Sequence, residues 1–433
     1  MMLTKLIDRL EKSFWFIPTI FLILPFVILY CIFIYVLPEN ELYANHNLFF
    51  NIVSKPDNAR LVLGAVAAAV ISIISISFSI TVVVLSIASQ QYSPRLLQSF
   101  MRQNDTKVIL GIFISTFIYC LVTIGLMQEN LEYESVFTIL AFVGFLLGIL
   151  SLLAFVYFIN YVIQTISVTN IINNVELDIV STLAKFYPAM SDESAEPKKD
   201  NIPDTYLCTN ILALETGYLQ SINYDKLVNI GYNNNFIIKV LPQIGNYLIE
   251  NTHLVKLYSL RNPIANHVIK LIREQFLISN ERKIGDDILF PIGQMVDIAV
   301  RALSPGINDP RTAINCIDAL AKTQVYLSQR RSMPSVLSKN NHIYVMRMIC
   351  DYGDIVKASY RQIFENARNN RFILCHLLST IAKLISIPSS QKFKKALIIE
   401  ANVIRLYNEL TPLGKNEINI LWAEHEIPCL EVT

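Results

Sequence analysis

Four uncharged apolar runs, at about 14–36, 61–88, 108–127 and 135–163, fill the first part of this chain, and shorter mixed patterns follow them. An α-helix rises about 1.5 Å per residue, so about 20 apolar residues cross a hydrocarbon core. Each run is long enough, and none holds Asp, Glu, Lys, Arg or His. The pattern predicts a multi-pass α-helical membrane protein with four transmembrane helices in residues 1–165. A helical neck and polar linker follow over 166–206, with Ile171, Val175, Ile179 and Leu183 at helical spacing before the solvated stretch Ser191–Asp200. Short alternating runs at Tyr218–Ile222, Asn235–Val240 and Leu254–Tyr258 predict a small β-rich module over 207–260. Helical periodicity then predicts a helical domain over 261–433, so the C-terminal part is α+β.

Charge sets the expected orientation. Lys5, Arg9 and Lys12 precede the first run, and Arg95, Arg102 and Lys107 lie between the second and third. The turn before the fourth carries Glu129, Glu132 and Glu134 with no Lys or Arg. Basic loops on alternate sides place the N-terminus and the C-terminal domain in the cytoplasm of a bacterial inner membrane.

The second run carries Ser72, Ser75, Ser79 and Ser86 at spacings that align them on one helical stripe. Such a stripe either faces water or packs on a neighbouring helix, as small residues do. Beyond it, Pro94 disfavours helix at Ser93, so the chain bends at the membrane surface. Leu96, Leu97 and Phe100 then form the apolar face of a short interfacial helix, with Arg95 and Arg102 in reach of lipid phosphates. Arg95 can also serve as an anion-attracting charge at a pore mouth.

Composition narrows the function. Of 433 residues 53% are hydrophobic and 16% charged, too apolar for an ordinary soluble protein. Basic and acidic residues number 36 and 35, so nothing draws the chain to nucleic acid. Seven scattered cysteines form no CxxC pair, and six histidines are widely spaced, so neither a disulfide framework nor a metal site is expected. There is no GxGxxG, phosphate loop, HExxH or GxSxG, and no enzyme activity or cofactor is expected. Spans without ionisable groups also weigh against a proton-coupled carrier.

In the C-terminal part, Ser304, Pro305 and Gly306 end one helix, and Asp309 caps the next with Pro310 at its first position. Asn308 precedes the cap. Asp297 and Arg301, four apart on one helical face, form either an ion pair or a contact to a ligand or subunit. Asp286 and Asp287 beside Lys283 read as caps of the helix that follows.

These residues carry a resemblance. The run Ile80–Leu97, with its Ser89-Gln-Gln-Tyr-Ser-Pro-Arg95, and the run Ala302–Ala313 resemble the bacterial DUF2254 family of predicted membrane proteins, over nearly the whole chain. The resemblance implies membrane helices followed by a cytoplasmic domain, and it implies no activity, since the family is uncharacterised. Gly217–Ile222 with Ile244–Thr252 is similar to the family's β-rich segment, which is itself similar to a lipoyl-like sandwich. Asn246 and Asn251 stand where an acidic residue and a glycine are more usual, and no carrier lysine motif accompanies them.

Two functions fit the sequence. One is a homo-oligomeric pore for small ions, with the serine stripe toward its axis and the cytoplasmic domain as assembly or gating element. The other is a non-conducting membrane scaffold or sensor whose tail binds a cytoplasmic protein or small ligand around Asp297, Arg301 and Asn308. Both have the lipid bilayer as partner.

Overall fold

A computed structural model describes residues 56–91, 104–127, 134–189, 206–260, 264–282, 285–340 and 342–409, with most of 21–30. The predicted span at 14–36 therefore lies largely outside the described residues, and Arg95 and Arg102 lie outside them altogether. The chain divides into two units, Met1–Asn170 and Ile171–Thr433.

The first unit is built on α1 (Pro56–Gln91), α2 (Asn104–Leu126) and α3 (Glu134–Ile166). All three are long and apolar enough to cross a membrane, over Asp57–Ser86, Asp105–Leu126 and Ile139–Thr165. Ala59, Leu63 and Ala67 of α1 pack with Tyr119 and Cys120 of α2 and with Leu140 and Ala141 of α3. Toward the other end, Val70 and Val84 meet Ile109, Phe113, Phe158 and Val162. Polar bonds lock the helices together: Tyr119 donates to the Leu140 carbonyl at 3.0 Å, and Ser151 to the Thr116 hydroxyl at 3.0 Å. Arg60 donates to the Met127 carbonyl, satisfying a group that the end of α2 leaves without an intrahelical partner. Close approach of α3 to α1 depends on glycine, because a Cβ at Gly148 would lie 2.9 Å from the Val66 side chain. Lys107, grouped by sequence with the basic loop, is almost fully buried.

The second unit opens with α4 (Val168–Phe186), whose buried face is Ile172, Val175, Ile179, Thr182 and Leu183. Next come β1 (Leu207–Leu212), β2 (Gly217–Ile222), α5 (Tyr224–Asn234), β3 (Ile237–Val240), β4 (Tyr247–Leu248) and β5 (His253–Ser259). The series α6 (Asn266–Arg273), β6 (Phe276–Ser279), α7 (Leu289–Ala302), α8 (Pro310–Ser328), β7 (Val336–Lys339) and β8 (His342–Met346) follows. Helices α9 (Tyr352–Asn366), α10 (Arg371–Ser386) and α11 (Gln391–Glu409) complete the described chain.

Two sheets, ordered β1-β5-β3-β8-β7 and β4-β2-β6, share one core that includes Leu219, Leu227, Ile238, Leu257, Ile272 and Val345. The architecture is mixed α/β, and it departs from the sequence reading in one respect. Strands β6, β7 and β8 fall inside the stretch 261–433 that periodicity reads as helical. An apolar run of four or five residues fits one helical turn as well as a strand, and pairing partners far along the chain decide between them. Here those partners are β2 for β6 and β3 for β8. The turn within Ile244–Thr252 is made by its asparagines. Asn251 adopts φ 66°, a left-handed conformation that asparagine tolerates, and Asn246 accepts from the Gln243 amide at 2.8 Å.

Candidate functional site

On the helical repeat of about 3.6 residues, Ala59, Leu63, Ala67, Val70, Ser77 and Val84 share one side of α1, and this is the side buried against α2 and α3. Ser72, Ser75, Ser79 and Ser86 fall on the opposite side and are all exposed. The stripe therefore does not pack against the described helices of its own chain. Ser72, Ser75 and Ser79 each donate to the carbonyl four residues earlier, on Ala68, Ile71 and Ser75, at 2.9–3.0 Å. These bonds satisfy the hydroxyl protons and leave the oxygen lone pairs facing outward.

The connection between α7 and α8 places the second group of predicted residues. Ser304 donates to the Arg301 carbonyl at 2.7 Å, and its own carbonyl accepts from the amides of Ile307 and Asn308 at 3.1 and 2.8 Å. Asn308 turns the chain at φ 45°. Asp309 then accepts from the Thr312 amide at 3.1 Å and the Thr312 hydroxyl at 2.6 Å, with Pro310 as the first residue of α8. The connection exposes Pro305, Gly306, Ile307 and Asn308, while Asp297 and Arg301 are half-buried on α7. The Thr312 hydroxyl bond holds the Asp309 carboxyl below the usual carboxylate range. This cap therefore stabilises the fold above the unfolded carboxylate pKa of about 3.9, and the contribution is lost as pH falls through the lower folded value. Asp309→Ala is expected to cost about 1 kcal/mol, read as a lower denaturant midpoint, with the loss vanishing in strong acid.

A third site combines residues that sequence reasoning did not single out, together with two it read as caps. The end of α4, Tyr224 of α5, Ile244, the start of α7 and the segment Arg347–Cys350 after β8 enclose a cavity of about 50 Å³. Asp287, 4% exposed, accepts two bonds from Arg282 at 2.5 and 2.9 Å and one from the Leu289 amide at 3.1 Å. That last bond reaches the first amide of α7 from outside the N-cap position, which is Ile288, and burial outweighs Arg282 and raises the Asp287 pKa. The adjacent Asp286 pairs with Lys185 of α4 at 2.6 Å. Gly245, at φ 90°, lets the backbone approach the Asp287–Arg282 pair where a Cβ would collide with both.

Arg347 is the remaining cation. Its Nε donates to the Pro334 carbonyl at 2.9 Å, and its guanidinium lies 4.7 Å from the centre of the Tyr224 ring. Burial lowers the Arg347 pKa and pushes Tyr224 up to about 12. Tyr187 donates to the Cys350 carbonyl at 2.7 Å, closing the wall on the α4 side. No local signal marks these residues, because they come from six stretches between Phe186 and Cys350. Among the described residues, no three His, Cys, Asp or Glu side chains group to hold a metal.

Long apolar helices followed by a two-sheet α/β unit define a class, that of integral membrane proteins with an appended folded domain. Residues 11–383 match the family of predicted membrane proteins DUF2254, and the chain belongs to that family. It is 30% identical over 286 residues to the uncharacterized protein Rv1290c of Mycobacterium tuberculosis and, equally, to the uncharacterized protein Mb1321c of Mycobacterium bovis. The match covers 64% of this chain and 53% of each relative, so the chain spans about half the length of the curated relatives it matches. No solved structure matches it.

Proposed function

We propose that this protein forms a homo-oligomeric pore for small ions in a bacterial inner membrane. The observation that supports this reading is the serine face of α1, turned away from the helices of its own chain. Copies meeting around that face would line an axis with hydroxyl oxygens, and a channel lined so needs no ionisable group within the membrane. In this reading residues 14–36 supply a fourth span. Phe21 and Ile28 support it, since they lie against Gly111 of α2 and against the α1–α3 core. The basic residues near the span ends orient the N-terminus and the second unit toward the cytoplasm, where the second unit acts as assembly or gating element. The protein is not an enzyme in this reading.

The test is ion flux from liposomes containing the purified full chain. Ser79→Leu and Ser75→Leu are expected to cut flux at least about tenfold while chemical cross-linking still captures the oligomer; one such loss is about 1.4 kcal/mol of barrier. Unchanged flux in both variants removes these residues from the pore. A second reading, a non-conducting sensor, is favoured by the cavity around Arg347. Tight vesicles from folded, oriented protein would make it the leading one.

A further inference from the structure

We infer that the cavity enclosed by Arg347, Tyr224 and the end of α4 binds a short-chain aliphatic monocarboxylate. The inference supplies a ligand class for the sensor reading and for a gating role of the second unit, and its test does not depend on conduction. Arg347 is the lining cation for which no ion pair forms among the described residues: its guanidinium bonds the Pro334 carbonyl and interacts with Tyr224 and Tyr187. A guanidinium carries five donors in a planar fork that fits a carboxylate through two parallel bonds. The Pro334 carbonyl occupies one donor, which leaves enough for such a pair.

Charge and size select among anions. Asp286 and Asp287 also line the cavity, each held by its own cation, Lys185 and Arg282. With both carboxylates held, Arg347 is the charged lining group left to a ligand, and a monoanion matches its single charge. A phosphate dianion would overshoot and face two carboxylates in a poorly hydrated space. Much of the remaining wall is apolar, with Phe186, Ile244, Leu289 and Met333, so the ligand carries an alkyl body rather than further hydroxyls. A water-sized atom needs about 10–15 Å³ by the same measure, so about 50 Å³ suits a body of about three to five heavy atoms, the size of acetate or propionate. Phe186 ends α4, so an occupied cavity braces the end of that helix.

Ligand-observed NMR titration of the full chain in detergent at pH 7 tests this, with propionate as probe. Saturable binding is expected, with a dissociation constant on the order of millimolar for so small a ligand. Acetate is expected to displace propionate, whereas inorganic phosphate at tenfold excess and neutral propionamide are not. Arg347→Gln is expected to weaken propionate about tenfold or more, the loss of a charge-assisted hydrogen bond. Leu289→Phe fills the cavity without altering the guanidinium and is expected to do the same, which decides the matter if Arg347→Gln fails to fold. Absence of saturable binding, displacement by phosphate as readily as by acetate, or full affinity in the folded variants overturns the assignment. Binding by a protein that does not conduct leaves the site standing and removes the pore, and conduction without binding does the reverse.

Discussion

Arg361→Met is expected to destabilise the C-terminal unit by about 3 kcal/mol, seen as a large drop in the denaturant midpoint of the detergent-solubilised protein. Arg361 on α9 donates two bonds to Glu400 on α11, both at 2.8 Å. The Glu400 side chain is only 6% exposed and sits among helices whose inward faces include Tyr360, Ile363, Phe393 and Leu397. Removing the arginine leaves a carboxylate desolvated with no counter-charge, and that penalty exceeds the net worth of the pair itself. The double variant Arg361→Met with Glu400→Leu is therefore expected to recover most of the loss, since a buried pair replaced by apolar groups of similar volume is close to neutral. A single-variant cost below about 0.5 kcal/mol would class the contact with exposed surface pairs and defeat this account.

The second large effect lies in the membrane unit. Gly148→Leu is expected to lower thermal stability by about 1–3 kcal/mol, because even a Cβ there would lie 2.9 and 3.3 Å from the two methyl carbons of Val66. Valine is branched at Cβ and has few rotamers to retreat into, so the backbones of α1 and α3 must part. Gly64→Leu provides the contrast. Nothing lies within 4 Å of a Cβ at Gly64, and the monomer is expected to melt unchanged. If Gly64→Leu instead dissolves a cross-linkable oligomer, the outward side of α1 is an interface between copies. Equal melting of both variants and the unsubstituted protein would show that α1 and α3 do not approach as described.

The extent to which this molecule is legible in its sequence differs between its parts. The helices α1, α2 and α3 follow from uninterrupted apolar runs, because twenty apolar residues in succession have few other fates. Asp309 and Pro310 were equally readable, since a cap and a first-turn proline act within four residues of chain. The serine spacing revealed a stripe but not its direction, which depends on where α2 and α3 settle. Strands β6 and β8 escaped because they pair with β2 and β3, about 50 to 110 residues earlier, as with Ile238 and Val345, and β7 joins the sheet only through β8. The Arg347 cavity and the Arg361–Glu400 pair were invisible for the same reason, as their members meet only after the second unit closes.

The parallel pairing of β3 with β8 has a bearing on how the protein is made. Strand β3 emerges early in synthesis and pairs with β5 within one short excursion, but its other edge waits until about a hundred more residues have left the ribosome. Contacts so distant in sequence form slowly, and an unpaired apolar edge invites wrong partners in the meantime. The nascent chain thus carries its membrane helices to the bilayer while the sheet behind them is still open. Variants that weaken β8, such as Val345→Ala, should reduce the yield of folded protein in cells more than their effect on equilibrium stability accounts for, and co-expressed chaperones should restore part of it.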